Sequence, residues 1–252
     1  MTYNNDTPFI KQDKQAEIIH FNKFDGDSGY DSLTEAGYQT LLDGFVKMVI
    51  PKSGETVGDF GCGSAAFGQR VKDQCSVNLI GVDLNHSLIQ QNIERLPHIP
   101  FYEEDIEKTS FDPETFDIIM YSGVLHHFPD FRRVAQEAYR LLKLGGRIFA
   151  FDPHYYNPAM WAYRAKASPI HSLKGRTINE RLLTKKELTQ VWSQAGFSKA
   201  KALSRSGVGI SYLESKSLSL LLNGYNVFDN MLHWTGLDRW FGSFVLTCAW
   251  KD

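Results

Sequence analysis

Residues 56–64, which read Thr56-Val57-Gly58-Asp59-Phe60-Gly61-Cys62-Gly63-Ser64, decide how the rest of the chain is organised. The stretch predicts a short buried strand that ends in an acid and breaks into a glycine turn, with Ser64 as the N-cap of a helix. Gly61 and Gly63 allow the backbone to turn tightly and to approach a ligand where a Cβ would collide. A unit of this kind usually starts a doubly wound α/β sheet, which binds its ligand over the carboxyl ends of the strands.

The same turn also fits a dinucleotide fingerprint, because Gly61-Cys-Gly63-Ser-Ala-Ala66 has the Gly/Ala-ending form. NAD and a cationic nucleoside are therefore both open as ligands, and a glycine turn without a ligand is the third interpretation. Asp59 favours the cationic nucleoside. A carboxylate at the strand end repels a pyrophosphate and attracts an ammonium group.

A second acid follows at a matching position. Residues 79–83, Leu-Ile-Gly-Val-Asp, predict a second strand whose last residue, Asp83, comes about 24 residues after Asp59. An acid about 20 residues beyond the glycines is placed to accept both ribose hydroxyls of a nucleoside. The alternative interpretation makes Asp83 the N-cap of a helix over residues 85–95.

Further strands and helices alternate along the chain. Residues 100–106 predict a third strand and its exit, where Asp105 can accept from an exocyclic amine and the Ile106 N–H can donate to a ring nitrogen. Residues 116–122 predict a fourth strand that is buried on both faces, residues 131–144 a helix and residues 147–151 a fifth strand. This alternation predicts a parallel sheet.

The remaining segments flank this alternating core. Apolar residues from Leu41 to Val49 at helical spacing predict a helix before the first strand, ended by Pro51 and Gly54. After the fifth strand, Thr184 is predicted to N-cap a helix that runs to about residue 195. Residues 197–203 and 241–250 are then predicted to be the sixth and last strands, separated by a helical insert over 206–240.

Length, charge and cysteine content narrow the class of protein. A chain of 252 residues fits one decorated α/β domain better than two. A net charge of −2 and a pI near 6.4 predict no global attraction to nucleic acid or to anionic membrane. Three scattered cysteines without a CxxC pair predict reduced thiols, no zinc site and a cytoplasmic location. No apolar run approaches the roughly 18 residues of a membrane span, and we expect a monomer or a homodimer.

Taken together, the motifs resemble the class I S-adenosylmethionine-dependent methyltransferases. The matching motifs cover about residues 55–151 and are Val57-Gly-Asp59-Phe-Gly61-Cys-Gly63, Gly81-Val-Asp83, Glu104-Asp105-Ile106, Phe116-Asp-Ile-Ile, Leu125-His-His127 and Leu144-Gly-Gly-Arg147. The resemblance implies an α/β, Rossmann-like, mostly parallel sheet of seven strands. Its last strand would be antiparallel, with helices on both faces and a helical, aromatic cap over the carboxyl edge.

The chain departs from the family pattern at two places. Ala65 stands where many members have a third glycine, which a helix that is not crowded there would tolerate. Tyr121-Ser122-Gly123-Val124 occupies the position of the Asn/Asp-Pro-Pro-Tyr motif of relatives that methylate amide or nucleobase nitrogens. That departure argues against methylation of DNA or of protein amides.

The resemblance implies S-adenosyl-L-methionine as the cofactor and S-adenosyl-L-homocysteine as its product. The residues implied to hold the cofactor are Asp59, Gly61, Cys62, Gly63, Asp83, Leu84, Asp105, Ile106, Tyr121 and Ser122. The first four would hold the amino-acid end and Asp83 the ribose. Leu84 would pack on the adenine, whose edge Asp105 and Ile106 would read. Tyr121 and Ser122 would line the sulfonium end through backbone groups.

Methyl transfer depends mainly on alignment in a dry site, and an oxygen or carbon nucleophile also benefits from a general base. His126 and His127 lie just past the fourth strand, where an acceptor would lie, and His154 lies past the fifth. We favour His127 as the base. The alternative is that these histidines are structural.

The segments around the core are expected to roof the site. We assign residues 1–50 to an N-terminal arm or lid, 51–152 to the cofactor-binding core, and 153–183 and 206–240 to substrate-cap insertions of one domain. Tyr30 of the arm is a candidate lid residue, because an extension before the ligand strand often folds over the site. Tyr155, Tyr156, Trp161 and Arg164 are candidates for the acceptor side, as flat apolar surface beside a cation. The basic residues there are either a solvated face or a site for an anionic acceptor.

Four functions follow from these observations. The first is methylation of a small-molecule acceptor, directed to oxygen. The second is C- or N-methylation of a lipid-linked or quinone-like metabolite. A non-catalytic nucleoside-binding protein and an NAD-dependent oxidoreductase are the remaining hypotheses, and none of the four involves nucleic acid as a partner.

Overall fold

The structure is a computed structural model that describes residues 8–24, 32–169, 171, 176–211 and 221–252. Tyr30 lies outside the described residues. Seven strands form one sheet in the order β3-β2-β1-β4-β5-β7-β6. The strands are β1 Thr56–Phe60, β2 Asn78–Asp83, β3 Phe101–Glu103, β4 Phe116–Ser122, β5 Leu142–Pro153, β6 Lys199–Arg205 and β7 Phe244–Trp250. The first five strands pair in parallel, and β7 is antiparallel to both β5 and β6, which confirms the predicted fold class.

Helices cover both faces of this sheet. Their bounds are α1 Lys14–Phe21, α2 Glu35–Val49, α3 Ala66–Cys75, α4 His86–Arg95, α5 Arg132–Leu141, α6 Pro158–Arg164, α7 Lys185–Gln194, α8 Leu222–Trp234 and α9 Asp238–Phe241. On one face the core includes α2, where Phe45 meets Phe149 of β5 edge-to-face with ring centroids 5.2 Å apart. On the other face α5 and α7 pack together, and Trp192 of α7 is fully buried against Tyr121 of β4.

Helix α3 begins one residue later than predicted, so Ser64 is not its N-cap. Ala65 occupies the N-cap position in a left-handed conformation with φ of 57°, and no side chain caps the helix. Gly61 and Gly63 also have positive φ, at 74° and 50°. The turn is therefore longer than the sequence suggested, because three of its residues bend the same way before the helix can start.

The helix predicted over residues 131–144 ends at Leu141, because the last strand draws the following residues into the sheet. Leu142 pairs with Phe116, and after a bulge Arg147 pairs with Ile118. The Gly145 N–H donates to the Lys251 carbonyl at 2.7 Å, and the Lys251 N–H donates to Gly146 at 2.9 Å. Lys251 lies about 100 residues after Gly145 and Gly146, so the local sequence pattern does not indicate this pairing.

Helix α1 was missed from the sequence, although its signal is present. Asp13 is the N-cap and accepts a hydrogen bond from the Ala16 N–H at 3.0 Å, and Glu17 lies in the acidic first turn.

Within the described residues, no helix combines the length and the apolar character that crossing a bilayer requires.

Candidate active site

A cleft of about 670 Å³, partly open to solvent, lies over the carboxyl ends of β1, β2 and β4. Residues after the strands form one wall: Gly61, Asp83, Leu84, Asn85, Leu88, Glu104, Asp105, Ile106, Ser122, Gly123, Val124, His127 and Phe128. The other wall comes from the N-terminal segment, through Gln12, Glu17, Ile18 and Phe21. The cleft therefore occupies the edge of the sheet where the sequence placed a ligand.

The glycine turn is fixed by backbone hydrogen bonds to β2. The Gly61 and Cys62 N–H groups both donate to the Val82 carbonyl, at 2.7 and 3.0 Å. A Cβ on Gly61 would lie 2.5 Å from Cγ2 of Val124, so only glycine fits at this position. The Cys62 side chain is buried, and burial raises the pKa of its thiol.

Asp83 joins the glycine turn to the start of α4. One carboxylate oxygen accepts from the Gly63 N–H at 2.8 Å and the other from the Asn85 N–H at 2.9 Å. The N-cap of α4 is Asn85, whose side chain accepts from the Leu88 N–H, so the interpretation of Asp83 as that cap is wrong. A carboxylate offers about four lone pairs, which leaves Asp83 capacity for two further donors from the cleft. Burial raises its pKa.

Asp59 lies behind the wall of the cleft and reaches it through Ser122. The Ser122 hydroxyl donates to Oδ1 of Asp59 at 3.2 Å, whereas the buried Oδ2 accepts no hydrogen bond from a described residue. Burial raises the pKa of Asp59 to about 7, and the charge of Asp83 adds to this effect. A buried carboxyl in this condition is stabilised in its ionised form by a nearby cation.

Asp105 is held by the N-terminal helix. Its carboxylate forms an ion pair with Lys14, which also contacts Glu107 at 2.6 Å, and it accepts from the Glu107 N–H at 3.0 Å. Leu84 and Ile106 line the cleft beside it. Helix α1 therefore contacts Asp105, the residue whose carboxyl group is predicted from the sequence to accept a hydrogen bond from the exocyclic amine of the adenine.

At the other end of the cleft, His127 contacts Glu17 of helix α1. Its Nδ1 lies 3.0 Å from Oε2 of Glu17, and Gln12 donates to its backbone carbonyl at 3.1 Å. Burial alone would lower the pKa of His127. Contact with Glu17 and the nearby charge of Glu180 reverse this and raise the pKa above its ordinary value.

Glu17 is held in position from the acceptor-cap side. Its Oε1 accepts from the Thr177 hydroxyl and from the Asn179 side-chain amide, both at 2.6 Å. Burial opposes ionisation of Glu17, but His127, Thr177 and Asn179 together lower its pKa below the ordinary value. The sequence analysis did not identify this acid, because it did not predict α1.

The other two histidines do not line the cleft. His126 places Nδ1 2.9 Å from Asp152, which also accepts its backbone N–H at 3.0 Å, and burial lowers the pKa of His126 well below its ordinary value. Burial raises the pKa of Asp152 to about 8. His154 is fully buried with Nδ1 3.0 Å from the Gly242 carbonyl, and burial lowers its pKa to about 4. Of the three, the structure brings only His127 to the cleft.

The predicted cap residues also lie outside the described lining. Tyr155 and Tyr156 are exposed and contact each other edge-to-face, and Trp161 packs against the core. Arg164 forms a 2.9 Å ion pair with Glu180, one of the acids that act on His127. The Tyr121 side chain points into the core against Trp192, so only its backbone is available to a ligand.

Comparison with known proteins agrees with this geometry. Residues 58–150 match the family model of a methyltransferase domain. The chain is 35% identical over 106 residues to a phthiotriol/phenolphthiotriol dimycocerosates methyltransferase of Mycobacterium tuberculosis, a match that covers 41% of this chain and 39% of that protein. It is 29% identical to a ubiquinone biosynthesis O-methyltransferase of Coxiella burnetii, over 60% of this chain and 67% of that one.

A solved structure of phosphoethanolamine N-methyltransferase 2 from Haemonchus contortus, in complex with phosphomonomethylethanolamine and S-adenosylhomocysteine, has the same fold. It superposes with a TM-score of 0.64 at 16% identity, over 93% of this chain and 57% of that chain. The match to the mycobacterial enzyme spans about two fifths of that relative's length.

Proposed function

Residues 58–150 are a methyltransferase domain in the fold of class I S-adenosylmethionine-dependent methyltransferases, and we propose that the chain methylates a small-molecule acceptor at oxygen. The observation that carries this proposal is the pairing of two features in one cleft. Asp83 retains acceptor capacity at one end, and a Glu17–His127 pair stands at the other.

The residues present fit S-adenosylmethionine. One buried oxygen of Asp59 accepts no hydrogen bond from the described residues, and a Cβ on Gly61 of the neighbouring turn would collide with Val124. We propose that Asp59 and the turn of Gly61, Cys62 and Gly63 bind the amino-acid end, and that Asp83 accepts the ribose hydroxyls. When bound, the cofactor supplies a methyl group that its sulfonium has already activated.

The adenine end would be held by residues after β2 and β3. Leu84 and Ile106 offer apolar side chains in the cleft, and Asp105 offers a carboxylate that it shares with Lys14. We propose that the Ile106 N–H and Asp105 read the adenine edge, and that the backbone of Tyr121 and Ser122 lies beside the sulfonium.

His127 is the general base of this proposal. Oε2 of Glu17 lies 3.0 Å from its Nδ1, and we propose that this contact holds the proton on Nδ1 and leaves Nε2 to take a proton from an acceptor hydroxyl. Helix α1 contributes to the second wall and contacts both Asp105 and His127, so we propose that residues 1–50 serve as an arm that excludes water and places Glu17 beside the base. The segments 153–183 and 206–240 would cap the acceptor.

A lipid-linked or quinone-like acceptor, with carbon or nitrogen as the target atom, is the second candidate. The names of two relatives bear on the acceptor class and not on a carbon or nitrogen target. One is a phthiotriol/phenolphthiotriol dimycocerosates methyltransferase, and the other is a ubiquinone biosynthesis O-methyltransferase. The apolar side chains of Ile18, Phe21 and Phe128 in the cleft suit such a molecule.

Methyl-tritiated S-adenosylmethionine tests the proposal with an extract of small metabolites and lipids as acceptors. We expect label in one extractable small molecule, strongly reduced in Asp83→Ala and unchanged in the exposed-site control Asp73→Ala. Label found only in protein or nucleic acid would refute the proposed acceptor class, and the polarity of the labelled product separates the two candidates.

A further inference from the structure

The outer face of α8 and α9 exposes large apolar side chains to an unusual degree. Trp234 is 81% exposed and Trp240 is 48% exposed. The full set, with exposed fractions between 39% and 81%, is Val227, Met231, Trp234, Leu237, Trp240 and Phe241. Large exposed apolar side chains clustered on two successive helices mark an interaction site on a folded protein.

The spacing of these residues puts them on one side of the two helices. Val227, Met231 and Trp234 recur at i, i+4 and i+7 along α8, whereas Leu222, Asp229 and Leu232 of the same helix are buried. Helix α9 follows after a short turn and continues the surface. We call this set of six residues the apolar face.

The exposed and half-buried charges of the segments that contain the apolar face and precede it have one sign. Within described residues 184–211 and 221–250, all lysine, arginine, aspartate and glutamate side chains that are exposed or half-buried are basic. They are Lys185, Lys186, Lys199, Lys201, Arg205 and Arg239. This local charge is opposite to the net charge of −2 on the whole chain.

The acids of the same segments are buried and hydrogen-bonded. Glu187 pairs with Arg181 at 2.5 Å, and Asp238 lies 2.9 Å from the His233 ring. Asp229 accepts from the backbone N–H groups of Gly207 and Val208. Their charges are therefore turned inward, and the outer surface presents cations.

Several of the basic residues border the apolar face directly. The Arg239 guanidinium lies 3.6 Å from the centroid of the Trp240 ring, and Lys185 donates to the Arg239 carbonyl at 2.7 Å. Long basic side chains can lie along apolar surface and keep their charges at its rim.

We propose that the apolar face docks on the surface of an anionic lipid bilayer. Tryptophan and phenylalanine side chains are stable at the boundary between headgroups and acyl chains, and each nearby lysine or arginine adds attraction to anionic headgroups. None of the described residues that line the cleft belongs to α8 or α9.

A second copy of the chain fits this surface less well. A twofold interface would place the same surface on both sides, and the basic residues that border it would face one another. No exposed acid lies among the described residues of these segments to pair with them. A bilayer that carries anionic headgroups meets both the apolar and the basic components.

Vesicle sedimentation tests the proposal with the full chain and does not depend on methyl transfer. We expect binding to phosphatidylcholine vesicles that contain about 30 mol% phosphatidylglycerol, and little binding to phosphatidylcholine alone. Trp234→Ala with Trp240→Ala should reduce binding by at least about tenfold. The control Leu144→Ala, which removes a side chain 70% exposed on the turn of β5, should bind like the wild type.

A charge series supplies the second measurement. Lys186→Gln and Arg239→Gln should each weaken binding by about fivefold, whereas Lys47→Gln on α2 should not. Thermal unfolding of each variant establishes that it folds. The proposal is overturned if the wild type ignores anionic vesicles or if the double tryptophan variant binds them normally. Light scattering that finds a dimer in the wild type and a monomer in that variant would assign the face to a second copy and overturn it too.

Discussion

The carboxylates around the cleft differ in the donors that already hold them. Asp83 accepts two backbone N–H groups, Glu17 accepts a hydroxyl and an amide and contacts His127, and Asp59 accepts one hydroxyl. Fewer donors leave a buried carboxyl more sensitive to a bound cation. Asp59 is therefore the acid whose ionisation we expect to respond most to a ligand.

Binding of S-adenosylhomocysteine should depend on pH through Asp59. The pKa of Asp59 is raised to about 7, and a cationic amino group binds its ionised form, so binding releases a proton at neutral pH. Affinity should fall as pH decreases below 7, by up to about tenfold per pH unit. Calorimetry in buffers of different ionisation enthalpy measures the proton release. Asp59→Asn should bind more weakly and lose the slope, and a slope retained in that variant would assign it to another group.

Glu17→Gln should change the titration of His127. The pKa of His127 is raised in the presence of the Glu17 carboxylate, and the base is active when neutral, so the rate rises with pH through this pKa. Removing the acid should move that rise to lower pH by roughly one unit and lower the plateau. The imidazole proton shifts of His127 in the ligand-free protein give the same pKa without any assay. Glu35→Gln on α2 is the matched control, and an unmoved His127 titration in Glu17→Gln would remove Glu17 from the proposed mechanism.

The residues of the site differ in how far the sequence could identify them. Asp59 and Asp83 were predicted because each ends a strand, a local pattern, and parallel strands bring their ends together. Glu17 was not, because its role depends on His127 about 110 residues away and on Thr177 and Asn179 farther still. The sequence favoured His127 as the base, although no local pattern showed which of His126 and His127 faces the site. Their difference is the direction of the ring, and Asp152 sets the ring of His126.

Helix α3 and strand β1, which lie beneath the cleft, pack closely against each other. In α3, a Cβ on Gly68 would lie 2.4 Å from Oδ2 of Asp59 and 3.1 Å from Cδ2 of Leu79. Glycine at this position lets the helix pass close over β1. Because glycine is a poor helix former, this close contact comes with a lower intrinsic stability of the helix.

Gly68→Ala should therefore destabilise the protein although alanine is the better helix former. The overpacking cost of about 1–3 kcal/mol exceeds or cancels the gain of about 1 kcal/mol in helix propensity. Gly224→Ala is the matched control, because Gly224 lies in α8 with no atom within 4 Å of its added Cβ, and it should be stabilising. Urea unfolding compares the two. Equal stabilisation by both substitutions would contradict the close packing of α3 on β1.

Element boundaries show where local pattern stopped being informative. The bounds of β4 and the capping of α7 by Thr184 agree with the sequence prediction, and β1 extends one residue past the predicted end at Asp59. The start of α3 differs from the prediction because Gly61, Gly63 and Ala65 adopt left-handed conformations before it. The end of α5 differs because the residues after Leu141 join the sheet and pair with β4 and with Lys251 after the last strand. Both depend on contacts that form only in the folded sheet.

Across the whole molecule, the sheet places every candidate ligand group on one edge. Strand β1 lies between β2 and β4 in the sheet. Asp59 near the end of β1 and Asp83 at the end of β2 therefore lie at the same edge as the turn after β4, which carries His127. Helix α1 joins the two ends of the cleft, through Lys14 to Asp105 and through Glu17 to His127. The alternating pattern sufficed to predict the sheet, whereas the position of α1 over it was not predictable.

The claim on which the account depends is that this edge binds a cationic nucleoside and not a dinucleotide. Calorimetric titration of the purified chain with S-adenosylhomocysteine and with NADH tests it most directly. We predict saturable binding of S-adenosylhomocysteine, weakened at least about tenfold by Asp83→Ala and unchanged by Asp73→Ala, with no binding of NADH. Tight binding of NADH without binding of S-adenosylhomocysteine would contradict the account.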